Sequence, residues 1–343
     1  MASMRDLLTA ALVLASAIAG ASSSATAQQP DMTEAQRQER ARAAKAGRLS
    51  IPLPGTPDTT ILPARLAAAG IDFGAPLLIR IFKAESQLEV WAKRRGTYVL
   101  FDTYPICYWS GTLGPKLREG DRQAPEGFYS ITMHHLHHGG RWRRSLNVGY
   151  PNPFDRINGR TGSAILVHGG CASTGCFAMT DPVNAELYDL VSAALEAGAS
   201  HVPVQVFPFR MTDERLAAVP AGPWLDFWRG LKEGYDSFER TRLPPHVSVC
   251  NRRYQTRDAT MFERGAEPIA MCPEDRHLLP EVPEHEQLQA SAAGGTRANT
   301  RVSSRPPCDL SRPSCRKWIA LRDRRVSSQT VAGGSAGKRS QVR

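Results

Sequence analysis

From Ile165 to Asp181 the chain reads Ile-Leu-Val-His168-Gly169-Gly170-Cys171-Ala-Ser173-Thr174-Gly175-Cys176-Phe-Ala-Met179-Thr-Asp181. An apolar, strand-like run ends in a histidine, a bend of small residues follows, and a cysteine stands shortly before a helix start. This order dictates a strand, a tight return and a helix, and it places an imidazole and a thiol within reach of one another. A thiol with an ordinary pKa of about 8.5 is mostly protonated at neutral pH, so a nucleophilic Cys needs a base or a field beside it. Gly175 lets the backbone turn sharply, which predicts N–H groups around Cys176 facing a developing oxyanion. Ser173 is expected to tune the bend through a local hydrogen bond. Read bare, the same residues also fit a satisfied strand-end His, a local disulfide or half of a metal site.

The surrounding pattern supplies a frame for this segment. Leu77-Lys83, Gln87-Lys93 and Tyr98-Tyr108 are β-branched or aromatic runs joined by short polar turns, the pattern of a meander. Phe128-His134, Ala164-His168 and Val202-Phe207 are further strands. Asp181 and Pro182 predict a helix start, with Val183, Leu187, Leu190, Val191 and Ala194 on one face before Gly198. Trp224, Phe227, Trp228, Leu231 and Tyr235 mark a second amphipathic helix. Gly111, Gly114, Gly120 and Gly127, with Pro115 and Pro125, form a loop suited to a binding rim.

The ends of the chain have a different character. Leu7 to Gly20 is a nearly unbroken apolar run of 14 residues after Arg5 and before Ala25-Thr26-Ala27. It is shorter than the roughly 20 residues that span a bilayer, so residues 1–27 read as a cleavable secretory signal, with no stable membrane span after processing. Residues 28–74 read as a spacer and Pro-rich linker, with a short solvated helix in Gln28-Gly47. Of the net charge of +10, all but one unit lies in residues 298–343, which carry eleven Lys/Arg against Asp309 and Asp323. That segment is Ser-, Gly- and Pro-rich, with Trp318 its one aromatic residue. The charge therefore argues against nucleic-acid binding by the core and for a disordered basic tail over 281–343. Seven Cys cannot all pair with one another. Bridges Cys250–Cys272 and Cys308–Cys315 are plausible, and Cys171 is either a guard for the nucleophile or a small buried thiol. The other ligand-rich patch, His134-His135-Leu136-His137-His138, offers at most two imidazoles to one face of a strand, so no metal site is assigned.

Three ordered blocks carry a resemblance. His168-Gly169-x-x-x-Ser173-x-Gly175-Cys176-x-Ala178-Met179-Thr180-Asp181 is similar to the active-site signature of the L,D-transpeptidase catalytic-domain (YkuD-type) family, in its YafK-like branch. Ser110-Gly111-x-Leu113-Gly114-Pro115-Lys116, continuing through Glu119-Gly120-Asp121 to Pro125-Glu126-Gly127-Phe128-Tyr129, resembles the loop leading into that branch's core strand. Leu146-Asn147-x-Gly149-Tyr150-Pro151-Asn152 resembles a third block. The wider family has a second His just before its Gly-Cys and an Arg two residues after it, where this chain has Thr174 and Ala178.

The resemblance implies an α+β fold: an L,D-transpeptidase-like mixed β-sheet/sandwich catalytic domain over 75–210 with packed helices, a C-terminal helical extension over 211–280 and flexible termini. It implies a periplasmic cysteine acyltransferase acting on peptidoglycan stem peptides, with Cys176 as nucleophile and His168 as acid and base. No cofactor is implied, and the family's nucleophiles are open to acylation by carbapenems. Gly169, Tyr150, Asn152 and Lys116 are the expected substrate contacts. Lys116, Arg118 and Arg122 are candidates to grip a substrate carboxylate in place of the missing Arg, and a wall-anchored lipoprotein is a second candidate partner. Transfer to an amine and hydrolysis by the same site both remain open, as does a non-catalytic wall-binding or metal-binding module.

Overall fold

A computed structural model describes residues 31–137, 139, 142–260 and 269–279. The signal segment, the basic tail with Cys308 and Cys315, and His138 lie outside the described residues.

The elements in chain order are α1 (Glu34–Lys45), α2 (Leu62–Ala69), β1 (Leu77–Phe82), β2 (Gln87–Arg94), β3 (Thr97–Pro105), β4 (Tyr108–Trp109), β5 (Gly127–Ile131), β6 (Leu136–His137), β7 (Ser145–Asn147), α3 (Pro153–Ile157), β8 (Leu166–His168), β9 (Phe177–Ala178), α4 (Asp181–Glu196), β10 (Val202–Phe207), α5 (Asp213–Ala217), α6 (Leu225–Thr241), β11 (His246–Cys250), β12 (Arg253–Arg257) and β13 (Ala270–Met271). The first sheet has the order β3-β2-β1-β10-β5, the second β4-β9-β8-β7-β6 and the third β12-β11-β13. β1 to β3 form the expected antiparallel meander, while β1 runs parallel to β10 and β8 parallel to β9.

β1 explains the layering. All six of its residues are buried, so both faces of the first sheet must be covered. Ile79, Ile81, Val90 and Val204 face a core shared with Leu146, Val167 and Phe177 of the second sheet and Val183, Leu187 and Val191 of α4. On the opposite face, Phe82, Phe128 and Phe207 meet Trp228, Leu231 and Tyr235 of α6 and Val249 and Tyr254 of the third sheet. α6 approaches closely because Gly234 has no side chain: a Cβ there would lie 2.4 Å from the Phe128 ring.

Four expectations need correction. α1 is docked rather than solvated: Arg37 is 5% exposed and stacks over Trp109 at 3.7 Å, so its polar helix is held by a cation–π contact and backbone carbonyls rather than by an apolar stripe. The linker contains α2, and its Arg65 clasps Asp102 of β3 and Glu186 of α4. α4 is capped by Thr180, with Asp181 and Pro182 inside its first turn. The segment 211–280 is mixed rather than helical, because α5 and α6 are followed by the third sheet, which the Cys250–Cys272 disulfide ties to the segment after β13.

Candidate active site

The second sheet positions the two reactive groups. Val167 and Phe177 are cross-strand partners in the core, so their strand neighbours Leu166, His168 and Ala178 turn to the opposite face. His168 pairs with Ala178 in the parallel register, and Cys176 stands immediately before β9, diagonal to His168 and with its Sγ held by the Leu166 N–H. Strands about 4.8 Å apart and a rise of about 3.3 Å per residue put such a diagonal pair about 8 Å apart at Cα. That separation suits two side chains that must meet over a substrate atom.

His168 is buried and its orientation is fixed by backbone. Its Nδ1 lies 2.6 Å from the carbonyl of Gly169. A carbonyl only accepts, so Nδ1 carries the proton and Nε2 keeps its lone pair. The Trp142 ring packs against the imidazole at a 47° tilt, with centroids 4.4 Å apart. Burial holds the His168 pKa below its ordinary value, opposed by the Gly169 hydrogen bond and the charge of Asp181. Asp181 also fixes Gly169 by shape, since a Cβ on Gly169 would lie 2.2 Å from Asp181 Oδ1.

Cys176 is the free cysteine among the described residues, and it is partly exposed. Its Sγ accepts from the Leu166 N–H at 3.3 Å and donates to the Ala164 carbonyl at 3.7 Å. Burial pushes the thiol pKa up, while the Leu166 N–H, Ser173 and the charge of Lys116 pull it down. Ser173 Oγ accepts from the Cys176 N–H at 2.7 Å and donates to the Cys176 carbonyl at 2.9 Å. The Gly175 N–H donates to Ser110 Oγ at 2.6 Å, with Gly175 at φ +108°. The amides around Cys176 are thus already engaged in holding the bend, and the expectation that they face an oxyanion is corrected.

The remaining predicted residues fall mostly behind the site. Lys116 donates to Asp121 at 2.5 Å and to the Arg118 carbonyl, so it acts on Cys176 through its field and is not a free grip. Asn152 caps α3 and donates to Phe128 O and Tyr254 Oη, and the Tyr150 hydroxyl donates to the Thr161 carbonyl at 3.1 Å. Both are buried supports rather than groove contacts. Gly169 supports the base and is itself shielded by Asp181. Arg118 and Arg122 are exposed on the rim. Cys171 is neither guard nor buried free thiol: it is disulfide-bonded to Cys107, which ties the bend to the entry of β4. The His patch splits, with β5 ending at Ile131, His134 and His135 in a short helical turn and His137 in β6. Among the described residues no group of three or more His, Cys, Asp or Glu is arranged to hold a metal. Ser110 and Trp142 are the contributors that sequence reading did not assign, because their roles depend on contacts across the fold.

The L,D-transpeptidase catalytic domain (YkuD) family model matches residues 77–206, which contain both reactive groups. Over 181 residues the chain is 45% identical to "Putative L,D-transpeptidase YafK" of Escherichia coli (strain K12), covering 53% of this chain and 74% of that protein. The chain belongs to the L,D-transpeptidase catalytic-domain family. Two solved structures are more distant: the helical cell shape determining protein Pgp2 from Campylobacter jejuni (21% identity, TM-score 0.32) and Bdellovibrio bacteriovorus Bd1075 (20% identity, TM-score 0.27). The first comparison covers 44% of this chain and 57% of Pgp2, the second 39% and 48%. Outside the matched L,D-transpeptidase domain, α1 and α2 precede it, while α5, α6 and the third sheet follow it.

Proposed function

We propose that this chain is a periplasmic cysteine L,D-transpeptidase acting on peptidoglycan stem peptides, exported by residues 1–27, with 281–343 as a basic tail. The observation that carries the reading is a free thiol held by the Leu166 N–H, two residues before an imidazole whose Nε2 is left as a base by the Gly169 carbonyl.

The chemistry follows from that pairing. Cys176 Sγ attacks a donor-peptide carbonyl while His168 Nε2 takes the thiol proton. The tetrahedral adduct collapses, the C–N bond breaks, and the imidazolium returns its proton to the departing amine. This leaves a thioester on Cys176. An acceptor amine then adds to the thioester and gives its proton to His168, and the C–S bond breaks to release product and restore the thiol. Buried, neutral resting partners suit this route, because charge appears only as the reaction proceeds. With Lys116 committed to Asp121, Arg118 and Arg122 are the rim groups available to a substrate carboxylate.

The test uses purified mature protein with a disaccharide tetrapeptide donor and an amine acceptor, followed by mass spectrometry. New amide-linked products that vanish in Cys176→Ala and His168→Gln support the reading. Released peptides without transfer would make it a hydrolase. Unchanged substrate with a folded wild type, and no carbapenem adduct on Cys176, would refute it.

A further inference from the structure

α1 lies well before the residues that match the family domain, which begin at 77, yet it touches the wall of the active site. Arg37 projects from α1 into the interior. Its Nη1 donates to the Met32 carbonyl at 2.8 Å and its Nη2 to the Gly111 carbonyl at 3.1 Å, while the guanidinium covers the Trp109 ring. Trp109 and Gly111 flank Ser110, so one side chain holds both neighbours of that serine, one by its ring and the other by its carbonyl. Ser110 Oγ in turn accepts the Gly175 N–H, and Gly175 is bonded to Cys176. One turn along the helix, Arg40 donates to the Ile106 carbonyl at 3.1 Å, beside Cys107. Ala44, Leu49 and Leu53 then pack on the Cys107–Cys171 disulfide. The N-terminal segment therefore bears on the bend at two places, through Ser110 at its Cys176 end and through the disulfide at Cys171.

We infer that Arg37 is a positioning residue of the catalytic site, acting through Gly111, Ser110 and Gly175 to set Cys176, and that α1 is a working part of the enzyme rather than a spacer. The inference rests on the reading of Cys176 as nucleophile. A planar fork bridging two carbonyls while stacked on an indole is specific to Arg; an ammonium keeps the charge but not the bridge. The segment joining α1 to the family domain thus becomes a place where changes far from the thiol alter the chemistry.

The experiment compares Arg37→Ala, Arg37→Lys, Ser110→Ala and the control Arg42→Ala in the mature chain. Arg42 pairs with Glu39 on the exposed side of α1. The first readout is the rate of carbapenem acylation of Cys176 by intact mass, with thermal unfolding measured in parallel. Arg37→Ala and Ser110→Ala should each slow acylation about 3- to 10-fold, the scale of one positioned hydrogen bond. Arg37→Lys should recover only part of the loss, added guanidinium at non-denaturing concentration should restore Arg37→Ala toward wild type, and Arg42→Ala should match wild type. Acylation of Arg37→Ala at the wild-type rate overturns the inference, as does a loss that tracks lower thermal stability without guanidinium rescue. The second readout is iodoacetamide alkylation of Cys176 against pH, which needs no transpeptidase activity. Arg37→Ala should displace that profile by about half a pH unit, and an unmoved profile overturns the inference. If wild type is not acylated at all, the functional reading fails on the first readout while the second still decides the role of Arg37.

Discussion

Alkylation of Cys176 by iodoacetamide should rise steadily with pH from 6.5 to 9, with no plateau. Burial pushes the free thiol above its ordinary value, against the pull of the Leu166 N–H, Ser173 and Lys116. The His168 imidazole moves the other way from 6.5, lowered by burial against the Gly169 hydrogen bond and Asp181. The signs therefore agree: at neutral pH both groups rest neutral, and the thiolate is at most about 3% of the protein at pH 7. Since thiolate is the reacting species, the rate should climb about tenfold per pH unit across that window. His168→Gln should leave this simple alkylation within about twofold of wild type but lower acyl transfer by about 10²- to 10⁴-fold, because only the latter needs a base. Rates would be followed by mass at each pH under pseudo-first-order conditions. A flat profile from pH 5 to 8 would demonstrate a preformed thiolate–imidazolium pair and refute the argument that burial keeps both groups neutral.

Two further outcomes test the scaffold around the site. Lys83 and Glu126 are both fully buried, 2.9 Å apart, and Glu126 also accepts from the Gly114 N–H and the Trp228 indole at 2.7 Å each. Glu126→Gln should cost about 3–5 kcal/mol in urea unfolding, and Lys83→Met with Glu126→Gln should cost less than the sum of the single changes; additive losses would show that the charges do not act as a pair. Gly169→Ala forces a methyl to within 2.2 Å of Asp181 Oδ1, so it should impair acylation at nearly unchanged stability, with Asp181→Gly restoring part of the rate. Equal acylation by Gly169→Ala and wild type would show that the base does not depend on this fit.

The elements that could be read in advance are those whose pattern is local. The meander, β10, α4 and α6 announce themselves through apolar alternation or helical spacing, and the His168-to-Cys176 segment shows its bend through Gly and Ser. β4 and β9 are two residues each, too short for any period, and they exist because neighbouring strands present hydrogen-bonding edges. The docking of α1 was hidden because its buried residue is an arginine, and the Trp109 that accepts it lies 72 residues away. Asp181 resembles a cap in sequence, but Thr180 takes that place while the Asp181 carboxylate lies against Gly169. Lys116, Tyr150 and Asn152 occur in motifs near the site, yet motif membership does not reveal which way a side chain turns. Ser110 and Gly175 are 65 residues apart, so their contact emerges only once the strands are assembled.

The pairing of Cys107 with Cys171 has a consequence for how active protein is made. As the chain oxidises, Cys107 meets two thiols five residues apart, and choosing Cys176 instead of Cys171 would yield a bridged molecule without the proposed nucleophile. The partner that Cys107 takes therefore sets how many molecules keep a free thiol at Cys176, not how much protein is made. A preparation is properly judged by locating the free thiol, at Cys176 or at Cys171, by alkylation and peptide mapping, because correctly and wrongly bridged chains have identical mass and the same number of thiols.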